Sequence, residues 1–127
     1  MKLSKNFSKS EFDSKDGAEM PVQVLTNIIE LVVELQKLRD IIGVPITVNS
    51  GYRSPEHNKS IGGARNSQHV LGCACDIVAK DISPNDLANI IEDLIDNGIL
   101  KIGGLGRYNT FTHIDIRNHK ARWDNRS

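Results

Sequence analysis

Two histidines and two aspartates in the second half of the chain have types and spacing that could bind a metal. His69 precedes a short apolar segment and Asp76 lies within it, while His113 and Asp115 alternate with isoleucines in a later segment. Imidazole nitrogen and carboxylate oxygen are both good zinc ligands, and a catalytic zinc keeps three protein ligands and one open position. His69, Asp76 and His113 would supply that set. They predict one Zn2+ ion whose open position holds an activated water.

Asp76 also has a simpler interpretation, because a carboxylate within an apolar strand needs some compensating partner. A salt bridge would satisfy it, and the local spacing alone favours a salt bridge over a metal. Three arginines are candidates for that partner: Arg53, Arg65 and Arg107. The later strand shifts the balance towards a metal, because His113 and Asp115 fall on one strand face. Gly72 and Ala74 also leave space on the face of Asp76.

Two further residues could take part in catalysis or substrate binding. Asp115 could act as the general base that accepts a proton from the activated water, or it could orient a ligand histidine by a hydrogen bond. Arg53 lies in the turn Ser50–Pro55 and could direct its guanidinium at a carbonyl oxygen or carboxylate of the substrate. His57, just beyond that turn, is interpreted as a surface or capping residue.

The elements that must position these residues follow from hydrophobic periodicity. Apolar residues recur every three or four positions from Val22 to about Ile42, which predicts an amphipathic helix that Gly43 ends. A second helix is predicted to open at Ser83 as its cap and to end at Gly98. A short helix is predicted from 56 to 61, and strands from 46 to 49, 73 to 79, 101 to 105 and 111 to 116.

These elements predict the fold class. Short strands and helices without enough βαβ units for a doubly wound sheet indicate an α+β domain with a small, mainly antiparallel sheet. Residues 1–21 are predicted to be an irregular arm that Phe7 and Phe12 attach to the domain, and the tail from Asn118 is polar except for Trp123. Cys73 and Cys75 are interpreted as packing residues rather than a disulfide or metal ligands.

Length and composition narrow the class of protein. The 127 residues fit a single domain, and 39% hydrophobic and 25% charged residues are ordinary for a globular protein. Sixteen basic residues balance sixteen acidic ones, which argues against a nucleic-acid partner. No signal peptide or membrane-spanning segment is visible. We therefore expect a monomer that is made in the cytoplasm and reaches any external substrate by release or delivery.

Several motifs together resemble the M15 family of peptidases. They are Gly51-Tyr52-Arg53-Ser54, then Ser67, His69, Gly72, Ala74 and Asp76 at fixed spacing, then His113-Ile114-Asp115. The segments Asn6-Phe7, Glu11-Phe12 and Ala121-Arg122-Trp123 are similar to the compact members found in phages and prophages. The resemblance runs from residue 6 to about 123.

The resemblance implies a hedgehog/DD-peptidase-like fold and a function. M15 enzymes are zinc D-Ala-D-Ala carboxypeptidases and peptidoglycan endopeptidases, so the expected substrate is a peptide of the bacterial cell wall. Zinc ligation is implied for His69, Asp76 and His113, and contact with the substrate or transition state for Arg53 and Ser67. One position departs from the family, because many members carry an acidic residue three positions before the last ligand histidine, where this chain has Thr110.

A second function from another class stays open. Hedgehog-type domains keep this fold and its metal as a binding surface, so the chain could be a catalytically silent zinc module that binds wall peptides or a protein partner. Thr110 favours that alternative, whereas Asp115, Arg53 and Ser67 favour an enzyme.

Overall fold

A computed structural model describes residues 1–127 and confirms the predicted α+β class. Three α-helices and five β-strands follow a short 3-10 helix at Lys9–Phe12. The helices are α1 (Val22–Ile42), α2 (Pro55–Ser60) and α3 (Pro84–Asp96). The strands are β1 (Ile46–Ser50), β2 (Ala74–Ala79), β3 (Gly104–Arg107), β4 (Thr112–Asp115) and β5 (Ala121–Asp124).

The five strands form one sheet in the order β1-β2-β4-β3-β5. Neighbouring strands are antiparallel, except that β3 and β5 run parallel. The two strands that carry the predicted aspartate and histidine ligands, β2 and β4, are therefore adjacent at the centre of the sheet. A central position restrains both strands by hydrogen bonds on each side, which suits a site that needs fixed geometry.

The core lies between the helices and one face of the sheet. Along α1 the residues Ile28, Leu31, Leu35 and Leu38 are fully buried, which is the spacing that the sequence predicts for the buried stripe. Alternate residues of β2 and β4, among them Ile77 and Ile114, join the same core cluster. Burying each such side chain contributes about 1.5–3 kcal/mol. The intervening residues of both strands are left on the other face of the sheet, where the candidate ligands lie.

Most predicted element boundaries agree with the structure within a few residues, and two features differ. The polar tail contains a strand, β5, which the sequence did not indicate because its backbone pairs with β3 from a distant part of the chain. Cys75 is buried in the core as expected, but Cys73 is half-exposed and so packs less than predicted. Neither cysteine forms a disulfide.

The N-terminal arm is attached to the domain by its two phenylalanines. Phe7 and Phe12 are both fully buried, and their rings lie 6.4 Å apart in a tilted arrangement. The backbone N–H of Tyr52 donates to the carbonyl of Phe12 at 2.8 Å, which joins the arm to the turn after β1. No helix of the structure combines the length and apolar character needed to cross a membrane.

Candidate metal centre

The structure brings His69, Asp76 and His113 together. Asp76 and His113 are directly paired across β2 and β4, so both side chains project from the same face of the sheet. His69 comes from the loop before β2, and its position follows from the backbone N–H of Arg53, which donates to the carbonyl of His69 at 3.1 Å. All three side chains are buried, and their nearest donor atoms lie within 4.8 Å of one another.

The distances within this cluster fit a tetrahedral zinc. Oδ1 of Asp76 lies 3.2 Å from Nε2 of His69 and 3.0 Å from Nδ1 of His113. Ligand atoms at about 2.0–2.2 Å from a tetrahedral zinc are roughly 3.3–3.6 Å apart, so these two pairs would need to open by only a few tenths of an ångström.

The hydrogen bonds at the far side of each imidazole also fit a cation. Nδ1 of His69 lies 2.8 Å from the carbonyl oxygen of Gly51, which can only accept, so this nitrogen carries the proton. Nε2 of His113 lies 2.8 Å from Oδ2 of Asp115, a second acceptor. If both histidines are neutral, Nε2 of His69 and Nδ1 of His113 each direct a lone pair at Oδ1 of Asp76. A cation would satisfy three such converging electron-pair donors, and this donor set is one that zinc accepts.

Without a metal, imidazole protons can take the place of that cation. Burial would raise the pKa of Asp76, but hydrogen bonds from His113 and His69 and their charges outweigh burial and hold the pKa well below its usual range. Burial lowers the pKa of His113, but hydrogen bonds to Asp115 and Asp76 outweigh it and raise the pKa overall. Without a metal the cluster therefore favours a protonated His113, and a bound metal ion would replace that proton.

Asp115 lies behind His113 and away from solvent. Its side chain is 0% exposed, and besides its contact with His113 it accepts two hydrogen bonds of 2.7 Å from the guanidinium of Arg117 and one of 3.3 Å from the backbone N–H of Arg117. Gly104 lies directly against the carboxylate, where a Cβ would overlap it. Burial raises the pKa of Asp115, but hydrogen bonds from His113 and Arg117 outweigh burial and hold the pKa well below its usual range. The carboxylate is therefore ionised. The role of Asp115 as general base stays a prediction, and its contacts favour the alternative of orienting His113.

Arg53 forms the salt bridge to Asp76 that the sequence offers as an alternative to a metal, and the two interpretations prove compatible. Nη2 of Arg53 lies 3.3 Å from Oδ2 of Asp76, whereas both histidines contact Oδ1. One oxygen of Asp76 is thus available to a metal while the other is held by Arg53. The guanidinium also donates to Ser50 at 3.3 Å, and it lines the cavity beside the cluster.

A cavity of about 650 Å³ opens over the cluster. His69, Asp76 and His113 lie on its wall together with Arg53 and Ser67, the two residues predicted to contact substrate. Oγ of Ser67 accepts a hydrogen bond from the backbone N–H of His69 at 3.2 Å, which leaves its own proton for another partner.

Other residues singled out in the sequence lie elsewhere. Thr110 is exposed in the turn between β3 and β4 and does not line the cavity, although its neighbour Phe111 does. Arg107 contacts Asn85 and Asn89 rather than Asp76. His57 is partly exposed in the first turn of α2, and it is not the capping residue, because its backbone N–H donates to Ser54, which is the cap.

The structure adds an aromatic side of the cavity that the sequence did not assign. Tyr108, Phe111 and Trp123 all line it, and the ring of Trp123 lies 4.9 Å from the ring of His113. Trp123 reaches this position because β5 pairs with β3, so the missed strand and the missed site residue have one cause. The sequence signal was a single tryptophan in an otherwise polar tail.

The structure also connects the N-terminal arm to the site. Oδ2 of Asp16 accepts a hydrogen bond from the hydroxyl of Ser54, which caps α2 directly after Arg53. Ser14 accepts from the backbone N–H of Ser54 at 3.1 Å and donates to Asp16 at 2.7 Å. The arm thereby restrains the turn that supplies both the Gly51 carbonyl and the Arg53 side chain.

Comparisons with known proteins agree with this geometry. The family model described as Peptidase M15 matches residues 3–115, a segment that contains all three candidate ligands. The zinc D-Ala-D-Ala carboxypeptidase of Streptomyces albus G is 32% identical over 117 residues, which is 86% of this chain and 45% of that protein. The chain therefore spans less than half the length of this curated relative.

Proposed function

The chain belongs to the peptidase M15 family, and on that basis we propose that it is a zinc-dependent peptidase acting on peptides of the bacterial cell wall. The observation that carries the proposal is the His69–Asp76–His113 cluster on the wall of an open cavity. A structural zinc is normally enclosed by four protein ligands, whereas three ligands facing a cavity leave a position for water and substrate. We take one Zn2+ as the cofactor.

The proposed chemistry divides between the metal and the chain. Bound zinc supplies a Lewis acid that polarises a carbonyl oxygen and activates a water. Gly51 and Asp115 fix the ring orientation of His69 and His113 through the hydrogen bonds already described. Arg53 retains N–H groups that can donate to a carbonyl oxygen as negative charge develops there. Ser67 can donate its hydroxyl proton to another polar atom of the peptide.

The proposed chemistry also needs a proton acceptor, because the activated water must lose a proton. Asp76 is the one acidic residue on the wall of the cavity, and it is already a candidate ligand. Asp115 is the base predicted from the sequence, and it could act only through His113 or after movement of the strand, because its carboxylate has no exposed surface. We therefore propose Asp115 first as a residue that orients His113.

The proposed substrate is based on the name of the Streptomyces relative and on the residues that line the cavity. The Streptomyces protein is named for D-Ala-D-Ala, and the cavity of this chain offers Arg53 and Arg117 for a carboxylate and an aromatic side for a small apolar side chain. We propose a wall peptide that contains D-alanine, cut either at its terminal bond or within the stem or cross-bridge. In a phage or prophage setting the protein would act on the wall after release or delivery.

The experiment is digestion of defined substrates with and without metal. Zinc-loaded protein is incubated with purified peptidoglycan, and with synthetic peptides ending in D-Ala-D-Ala, and products are identified by mass spectrometry. Release of D-alanine or a stem fragment, abolished by a chelator and restored by zinc, supports the proposal and names the bond. His119→Ala is a suitable control, because His119 is exposed and outside the cluster.

The opposite result favours the silent zinc module. Intact substrates after incubation with fully zinc-loaded protein, across the whole panel, would exclude the peptidase. Co-sedimentation with peptidoglycan would then show whether the chain binds wall peptides without cutting them. The observation that favours this second function is that the cavity wall holds no acidic residue beyond Asp76.

A further inference from the structure

Half of the aromatic residues of this chain lie outside the core. Of three phenylalanines, two tyrosines and one tryptophan, Phe7, Phe12 and Tyr52 belong to the core cluster. The other three, Tyr108, Phe111 and Trp123, are only half-buried and line the cavity beside the metal ligands. We call these three residues the aromatic wall. Half-exposed aromatic side chains grouped in a cavity are typical of a ligand-binding surface.

The aromatic wall is held in place from both sides. The rings of Tyr108 and Phe111 stack at 4.3 Å with an interplanar angle of 15°. Trp123 lies on Gly106, where a Cβ would overlap the indole, and Gly106 is paired with both His113 and Trp123 in the sheet. The wall is therefore positioned by the same strands that position the ligand His113.

One hydrogen bond within the wall has a fixed direction. Nε1 of Trp123 lies 2.9 Å from the hydroxyl oxygen of Tyr108. An indole N–H can only donate, so the oxygen of Tyr108 is the acceptor and keeps its own proton. No other hydrogen bond to that hydroxyl occurs in the structure, so its proton has no acceptor within the protein. Its bond to Trp123 also restricts the directions in which that proton can point.

We propose that Tyr108 is a substrate-binding residue, whose hydroxyl donates a hydrogen bond to a carbonyl or carboxylate oxygen of the bound peptide. Phe111 and Trp123 provide apolar surface for the small side chain of the same peptide residue. The two arginines of the cavity are each already paired with an aspartate, Arg53 with Asp76 and Arg117 with Asp115. Tyr108 therefore adds a neutral donor on the aromatic side of the cavity, besides the hydroxyl of Ser67 and the remaining N–H groups of Arg53.

This inference rests on the proposed function, and two measurements keep the two apart. The first compares the kinetics of zinc-loaded wild-type protein and Tyr108→Phe on a synthetic peptide ending in D-Ala-D-Ala. The loss of one neutral hydrogen bond to substrate should raise KM about fivefold and leave kcat within about twofold. Far-UV circular dichroism and zinc content should be unchanged, because Tyr108 lies outside both the core and the ligand set.

The second measurement needs no turnover. Trp123 is the single tryptophan of the chain, so its fluorescence reports occupancy of the aromatic wall directly. Titration of zinc-free protein with the same peptide should change the emission of wild-type protein, and Tyr108→Phe should bind about fivefold more weakly. Tyr52→Phe is the matched control, since it removes the other tyrosine hydroxyl from a core residue that does not line the cavity.

The possible results distinguish the role of Tyr108 from the proposed peptidase activity. Turnover by the wild type with the same KM in both tyrosine variants would overturn the role of Tyr108 and leave the peptidase intact. A fluorescence response without turnover would support the aromatic wall as a peptide-binding surface and reject catalysis. Neither turnover nor a fluorescence response from the wild type would overturn both.

Discussion

Oδ2 of Asp115 lies 2.8 Å from Nε2 of His113, and the two residues are two positions apart on one face of β4. A single strand thus carries a candidate metal ligand and the carboxylate that contacts its far nitrogen. The other nitrogen of the same ring faces Asp76. This arrangement of carboxylate, histidine and metal position recurs in zinc sites, where the outer carboxylate fixes the tautomer and raises the basicity of the ligand.

Replacing this carboxylate tests its role. We expect Asp115→Asn to weaken zinc affinity about 10–100-fold, because an amide orients His113 less strongly. Loss of the charge opposite Arg117 should also lower the free energy of unfolding by roughly 1–3 kcal/mol. Competition with a chromophoric chelator measures the affinity, and chemical denaturation measures the stability.

A matched control exists one strand further on. Asp124 pairs with Arg126 at the same two-residue spacing, but the pair is exposed and outside the metal cluster. Asp124→Asn should leave zinc affinity unchanged. If Asp115→Asn kept full zinc affinity and lost turnover by about 10²–10⁴-fold, Asp115 would be the general base instead.

The second prediction concerns zinc binding by variants of the three candidate ligands. His69→Ala, Asp76→Ala and His113→Ala should each weaken zinc binding by more than the ~10–100-fold expected for an outer partner, because each removes a direct bond. Zinc content after dialysis, measured by atomic emission, reports the result. Full zinc occupancy in any one of the three variants would remove that residue from the ligand set, and His57→Ala should behave as wild type.

Metal removal should reduce thermal stability. A ligand that binds the folded state alone, at about 100 times its Kd, stabilises it by ~2.7 kcal/mol. For a domain of this size that corresponds to roughly 10 °C in Tm. Differential scanning fluorimetry with and without a chelator measures the shift. An equal chelator effect on Asp76→Ala would show that the stabilisation comes from another site.

The contribution of Arg53 to catalysis should depend on the planar shape of its guanidinium. Nε donates to Ser50 and Nη2 to Asp76, a fork that the single ammonium of lysine does not reproduce. We expect Arg53→Lys to lower kcat/KM about 10–100-fold while most of the bound zinc is retained. Arg65→Lys, at an exposed position on the loop before β2, is the control. Unchanged kinetics in Arg53→Lys would show that charge alone suffices.

The contact between the arm and the turn predicts a pH dependence. Hydrogen bonds from Ser54 and Ser14 lower the pKa of Asp16 from 3.8 to about 2 in the folded protein. A lowered folded pKa means stabilisation that is complete above about pH 4 and is lost as pH falls through about 2. The stability difference between wild type and Asp16→Asn should therefore shrink across that interval, measured by denaturant unfolding.

The control for this contact lies on the same arm. Asp13 pairs with Lys9 in an exposed i,i+4 salt bridge, which contributes little. Asp13→Asn should show no comparable change between pH 4 and 2. A constant difference for Asp16→Asn throughout that range would show that the charge of Asp16 does not restrain the turn.

Much of the fold was predictable because it depends on local periodicity. The buried stripe of α1 and the alternation of polar and apolar residues along β4 both follow from the local order of residues in the sequence. The structure confirms both patterns. The strand β5 was not predictable, since its four residues carry no strong alternation and become a strand only by pairing with β3. Trp123 joined the cavity through that same pairing.

The sequence by itself determined which residues can bind zinc and, through the M15 motifs, the family to which the chain belongs. Residue type limits the chemistry, so His69, Asp76 and His113 were candidates before any distance was known. Only the tertiary structure decided which oxygen of Asp76 contacts Arg53, that Asp115 is buried behind His113, and that an aromatic wall lines the cavity. These relationships depend on hydrogen bonds and side-chain packing between segments far apart in the chain, which spacing along one strand does not specify.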